Sequence, residues 1–241
     1  MALSPSPPFG SLRRALPADV PRIGIVATGG YRYSPVFKNE RPNHADFAGD
    51  TLLSYRHEFL SLIESREHIV FVATDKFDPN EGKMTKAIIP ADDDWPMPEP
   101  DDEVVIGVAC WKLSPESDRK GSIQNDNAHY PKLPENRKRD MNEDYCDALE
   151  ACCQEAEKRY FNGLPTMEAL VVHPAYWRRG HGSRLVQQGI DHLAKLGGAN
   201  HGVIAAETGK PLYLQLGYEE LEELVYDDVH LSIMQYQVKS C

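Results

Sequence analysis

The sequence lacks several features, and each absence narrows what the chain can be. No apolar run approaches the roughly 20 residues that a membrane-spanning helix needs. The first residues, Met1-Ala-Leu-Ser-Pro-Ser-Pro-Pro, have neither the basic nor the apolar block of a secretory signal, and Arg13-Arg14 alone do not make a transit peptide. A soluble, unanchored, cytoplasmic protein is the expectation. Cysteine is sparse: Cys110, Cys146, Cys152, Cys153 and Cys241 form no CxxC pair and no Cys/His cluster with zinc spacing. Reduced structural thiols and no metal are therefore expected. Positive charge is in deficit, with 26 Lys+Arg against 37 Asp+Glu and a net charge of −11. Such a balance argues against a nucleic-acid partner and suits cationic ones such as protonated amines. No internal repeat is visible.

The 241 residues, 41% hydrophobic, suffice for one sizeable core. Residues 1–20, rich in Pro and Ser, read as a leader, and 21–240 as a single domain. The β-branched run Arg22–Thr28 predicts a first strand. Leu52, Tyr55, Phe59 and Ile63 recur at helical spacing over 50–65, with Asp50 placed to cap that helix. Strands are expected at 69–74 and 104–112. Between them, residues 76–103 carry Pro and Asp without periodicity and read as a solvated insertion at a hairpin tip. A second polar insertion covers 114–139, and an amphipathic helix covers 140–161. Further strands are expected at 167–173, 202–206, 218–226 and 229–238. Helices are expected from Ser183 to Leu196, ended by Gly197-Gly198, and across Pro211–Leu216, capped by Thr208 and closed by Gly217. The sum is a mixed α/β sheet of about seven strands, hairpin-like at both ends and so not wholly parallel.

The chemistry concentrates in Leu170-Val-Val-His-Pro-Ala-Tyr-Trp-Arg-Arg-Gly-His-Gly-Ser-Arg-Leu-Val186. A strand ends, a turn follows, and a helix starts beside two glycines. The first amides of a helix have no internal acceptor, and the helix dipole places positive potential there. Gly180 and Gly182 allow a ligand close to the backbone. Such a site favours phosphate or pyrophosphate. The glycine fingerprint of a dinucleotide fold is missing near the N-terminus, and no Gly-Lys-Ser/Thr follows a longer glycine loop.

This stretch resembles the acyl-CoA turn of the GNAT N-acetyltransferases, Gln/Arg-x-x-Gly-x-Gly/Ala. Gly180 and Gly182 match, Arg178 and Arg179 fill variable places, and Trp177 stands at the first position. A second string, Lys210-Pro-Leu-Tyr-Leu-Gln-Leu-Gly-Tyr218, is similar to the family's later helix, with Tyr213 and Gly217-Tyr218 in place and Thr208 where the family has Asn. The resemblance implies a GNAT-like fold of mostly antiparallel strands, with a central parallel pair splayed to admit acetyl-CoA and helices on the flanks. It also implies transfer of the acetyl group to an amine by direct attack.

By the same resemblance, Leu170, Val171 and Val172 would pair with the pantetheine arm, and Arg178, Arg179, Gly180, His181, Gly182 and Ser183 would hold the pyrophosphate. Thr208 and Tyr213 would also touch the cofactor. Tyr213 would donate a proton to the departing thiolate, with core packing as its other reading. Glu168, on the strand beside the expected thioester, is the candidate base. Tyr31, Tyr33 and Phe37 could line an amine pocket or simply pack in the core. His173 reads as a turn residue. The acceptor would be a small-molecule or peptide amine. The alternative is a non-catalytic acyl-CoA-binding module of the same fold.

Overall fold

The structure is a computed structural model and describes residues 11–90, 96–115, 132–196 and 200–238. Asp92–Asp94, Gly197-Gly198 and Cys241 lie outside the described residues. One sheet of seven strands organises the chain: β1 (Leu12–Arg14), β2 (His68–Lys76), β3 (Glu103–Lys112), β4 (Thr166–Val172), β5 (His201–Ala206), β6 (Glu219–Tyr226) and β7 (Val229–Tyr236). Their order is β1-β2-β3-β4-β5-β7-β6, and every neighbouring pair is antiparallel except β4 and β5. The helices are α1 (Val20–Tyr31), α2 (Pro35–Glu40), α3 (Ala48–Glu64), α4 (Glu143–Tyr160), α5 (His181–Lys195) and α6 (Lys210–Gln215).

Two cores sandwich the sheet. On one face Ile23, Val26 and Ala27 of α1 and Tyr55, Phe59 and Ile63 of α3 meet Val70, Val72, Val108 and Cys110. On the other, Leu185, Val186, Ile190 and Leu193 of α5 meet Phe71, Ile106, Ala109 and Trp111. A methyl group at Gly189 would stand 2.1–2.5 Å from the Trp111 ring, so α5 lies flush on the sheet. α4 packs Tyr145 and Leu149 against Val229 and Leu231.

The run expected as a first strand, 22–28, is instead part of helix α1. Its apolar positions do not alternate with polar ones because the helix is buried between α3 and the sheet. Strand propensity yields there to packing on two sides. Small residues permit the approach: a Cβ at Gly24 would meet Arg56, and one at Gly30 would meet Val171 and the Val172 oxygen. The first strand is β1, inside the stretch read as leader, paired with Ala73–Phe71 on the sheet edge.

Asp50 is not the cap of α3, which starts after Phe47. Its carboxylate instead receives the Arg139 side chain at 2.7 and 2.8 Å and the Arg139 amide at 3.0 Å. The segment after β2 is not wholly solvated either. Glu81 is buried and binds Arg22 at 2.5 and 2.6 Å, and Thr85 donates to the Gly29 carbonyl at 2.9 Å. Gly209, not Thr208, stands at the N-cap of α6, and Gly217 ends it with φ of 92°.

Candidate active site

β4 and β5 pair only at Thr166↔Gly202 and Met167↔Val203. Beyond that point they part, while β4 stays on β3 as far as Gly107↔Val172. A register irregularity opposite Cys110/Trp111 breaks the side-chain alternation of β4: Met167 packs in the α5 core, yet Ala169 packs in the α1/α3 core. The His173 amide donates to the Ile106 carbonyl at 2.9 Å, so by alternation the main chain of Val171 also faces β3. The polar groups of Leu170 and Val172 then face the gap. Val171 therefore offers the gap no free main-chain groups, contrary to the expectation for it, and its side chain packs in the α1/α3 core. A cleft of about 1850 Å³ opens from this divergence.

At one end of the cleft the chain turns into α5. The buried His173 ring accepts the Ala175 amide at 3.3 Å and shapes the Pro174–Tyr176 turn. Burial lowers its pKa to about 4, so it does this as a neutral acceptor. Arg178 has φ of 63° and Gly180 φ of 80°, left-handed conformations that aim successive amides one way. Among the described residues, the amides of Arg178, Arg179, Gly180, Gly182 and Ser183 meet no acceptor. Arg178 borders the cleft. Two expected ligands turn their side chains away. Arg179 reaches the Ala175 carbonyl at 3.2 Å and Asp75 at 3.6 Å, and the buried His181 ring lies 3.2 Å from Asp75. Asp75 thus fastens the loop from behind by both side chains; His181 borders the cleft and Arg179 does not.

Tyr213 borders the cleft with a buried side chain. Its hydroxyl donates to the Met167 sulfur at 3.1 Å, and burial holds the phenol well above its ordinary range. Glu168, also on the cleft, lies 2.9 Å from His68 Nε2 and 3.5 Å from Lys112 Nζ. Burial pushes its pKa up, but the hydrogen bond and charge of His68, with Lys112, outweigh this and hold it below the usual range. His68 Nδ1 in turn meets the Ser65 hydroxyl at 2.7 Å. Tyr31 and Tyr33 face the cleft. Phe37 borders it but is buried, edge-on to His44 with ring centres 5.2 Å apart. Thr208 is on the wall.

Sequence reasoning missed two groups here. The Trp177 indole N–H donates to the Val172 carbonyl at 2.6 Å, and its ring meets Tyr33 edge-on at 4.9 Å. Glu58 of α3 borders the cleft without a hydrogen-bond or ion-pair partner among the described residues. Nothing in a helical carboxylate's sequence context separates it from a solvated one.

Residues 144–220, from α4 to the start of β6, match the family model of the acetyltransferase (GNAT) domain. An acetyltransferase of Stachybotrys chartarum is 29% identical over 228 residues, covering 93% of this chain and 86% of that protein. These matches support a GNAT superfamily acetyltransferase. Solved GNAT structures share the fold. One is the histone acetyltransferase HPA2 and related acetyltransferase from Corynebacterium glutamicum, with TM-score 0.55, 16% identity, and coverage of 94% of this chain and 95% of that one. Another is the PaiA N-acetyltransferase from Thermoplasma acidophilum in complex with coenzyme A, with TM-score 0.51, 11% identity, and coverage of 95% and 98%. The sheet matches the expected mixed architecture, down to the single parallel pair that splays. Among its described residues no helix is long and apolar enough to cross a membrane.

Proposed function

We propose that this protein moves the acetyl group of acetyl-CoA to a primary amine of a small molecule or peptide, by direct attack of the amine. The observation that carries the reading is the open edge of β4 beside a helix start whose amides have no internal acceptors. An extended chain with amide groups would add to the Leu170 and Val172 edge as a further strand. A pyrophosphate would sit on the amides of Arg178–Ser183, with the Arg178 charge nearby. The thermoplasmal relative, solved with coenzyme A, supports the choice of ligand.

The bound thioester supplies the activated acetyl group. Tyr213 stays protonated at neutral pH, and its present acceptor is only a thioether, so it is free to turn toward a departing sulfur. Glu168, kept anionic by His68 and Lys112, gives the cleft a fixed negative charge that draws an ammonium inward. Tyr31 and Tyr33 form the aromatic wall on which the body of the amine would rest.

One contact competes with the seat that this reading and a binding-only alternative both need. The Trp177 indole occupies the Val172 carbonyl that the pantetheine arm would use. The Leu170 edge and the amide cradle remain open for either, and Tyr213 on the cleft weighs toward the enzyme. Calorimetry with acetyl-CoA, run beside free-thiol release across a panel of amines, tests both. Binding together with amine-dependent thiol release is expected. Binding without release from any amine would establish the alternative, and no binding would end both.

A further inference from the structure

We propose that Glu58 of α3 takes the proton from the acceptor ammonium, the step that frees the amine to attack. This rests on the acetyl-transfer reading of the cleft. Tyr55, Glu58 and Leu62 recur at i, i+3 and i+7 on α3, and all three border the cleft. The stripe behind them, Leu52, Arg56, Phe59 and Ile63, is buried. Glu58 therefore looks across the cleft from the helix toward the stretch of β4 that holds Glu168. Tyr31 lies within electrostatic reach of both Glu58 and Tyr213, and all three border the cleft. A proton acceptor and a proton donor thus border the same cleft, as amine attack and sulfur departure require.

The two cleft carboxylates differ in what binds them. Glu168 is claimed by His68 and Lys112, and a paired carboxylate is a weak base. Glu58 has no such partner among the described residues. Solvent in the cleft reaches it, and partial loss of water to the nearby walls is the largest influence raising its pKa, to about 7. Glu40 of α2, Glu168 of β4 and Glu150 of α4 add to the rise, and Arg41 after α2 opposes it. Cys110 of β3, with Tyr31 and Tyr55, is held in its neutral form by burial. A base poised near neutrality matches what a general base needs at physiological pH. In the step itself, one N–H bond of the ammonium breaks, its electron pair stays on nitrogen, and the proton joins a Glu58 oxygen. Ammonium and carboxylate become amine and carboxylic acid, and the acid later returns its proton to solvent through the open cleft.

The test compares pH profiles of kcat/KM, by thiol release with an amine the intact protein acetylates, for the intact protein, Glu58→Gln, Glu58→Asp and Glu168→Gln. The intact protein should show a limb rising with pH, centred near 7. Glu58→Gln should lose about 10²- to 10⁴-fold in rate and lose that limb, while Glu58→Asp keeps the limb at a lower rate. Glu168→Gln should retain the limb and move it to lower pH, because one neighbouring negative charge is gone. Acetyl-CoA affinity should stay within about threefold in all variants, which separates a chemical role from a structural one. Should Glu58→Gln fail to fold by its melting curve, Glu58→Asp carries the test. A rate within about threefold of the intact protein with the limb in place would overturn the role of Glu58 alone. Acetyl-CoA binding without amine-dependent release by the intact protein would overturn it together with the reading beneath it.

Discussion

The two ends of the cleft are built from different materials. The end at Arg178–Ser183 is made of main chain: amides, two left-handed residues and a helix start. The end at Tyr31, Glu58 and Glu168 is made of side chains from α1, α3 and β4. A cradle of amides survives changes of side chain, which is why Trp177 and Thr208 can replace the family's residues without closing it. A wall of side chains has no such tolerance, so selectivity for the proposed acceptor would reside there.

Filling the main-chain end should have the largest effect. A Cβ at Gly182 would meet only Leu212, at 3.5 Å, so Gly182→Trp should fold normally and project its ring over the cradle. Calorimetry should find no acetyl-CoA binding, whereas weakening of less than about tenfold would mean the ligand sits elsewhere. Next comes Tyr213→Phe, expected to lower kcat about 10²- to 10⁴-fold at near-normal cofactor affinity. Only a bond to sulfur is lost, so its melting temperature should hold. An unchanged rate would remove Tyr213 from the chemistry.

The side-chain end also depends on a frame behind it. Arg41 donates to Asp140 at 2.6 Å and to the Tyr55 hydroxyl at 3.2 Å, and Asp140 accepts from Thr51 at 2.8 Å, all of it buried. Asp140→Ala would strand the Arg41 charge and should cost about 3–5 kcal/mol in urea unfolding. Loss of less than about 1 kcal/mol would show that the frame is dispensable.

The smallest effect tests the boundary between the two ends. Trp177→Phe keeps the contact with Tyr33 but frees the Val172 carbonyl. Acetyl-CoA should then bind up to about tenfold more tightly, the worth of one hydrogen bond no longer displaced. Weaker binding would show that the indole itself supports the ligand.

The same contrast governs what was legible in the sequence. β4, the turn and α5 are contiguous, so Leu170 to Val186 announces strand, cradle and helix in order. The helices α3 and α4 each bury one face and declare their period. α1 has no exposed face to mark its turns, and its β-branched residues mimic a strand. β1 is three residues long and is held by pairing rather than by its own pattern. Glu58 and Glu168 stand 110 positions apart, and only folding shows that Glu168 is paired and that Glu58, among the described residues, is not. The turning of Arg179 and His181 toward Asp75 was equally hidden, since Asp75 belongs to a different strand.

The close seat of Gly189 on Trp111 has a consequence for the cradle two turns away. With no slack beneath it, α5 cannot ride up or down on the sheet, so the height of its first residues is set by the thickness of an indole plate. The anion site is therefore machined before any ligand arrives, and binding there need not spend energy on alignment. The same rigidity makes the back of the helix a remote control point: a single methyl group at position 189 would act as a shim, tilting the amides without touching anything they bind.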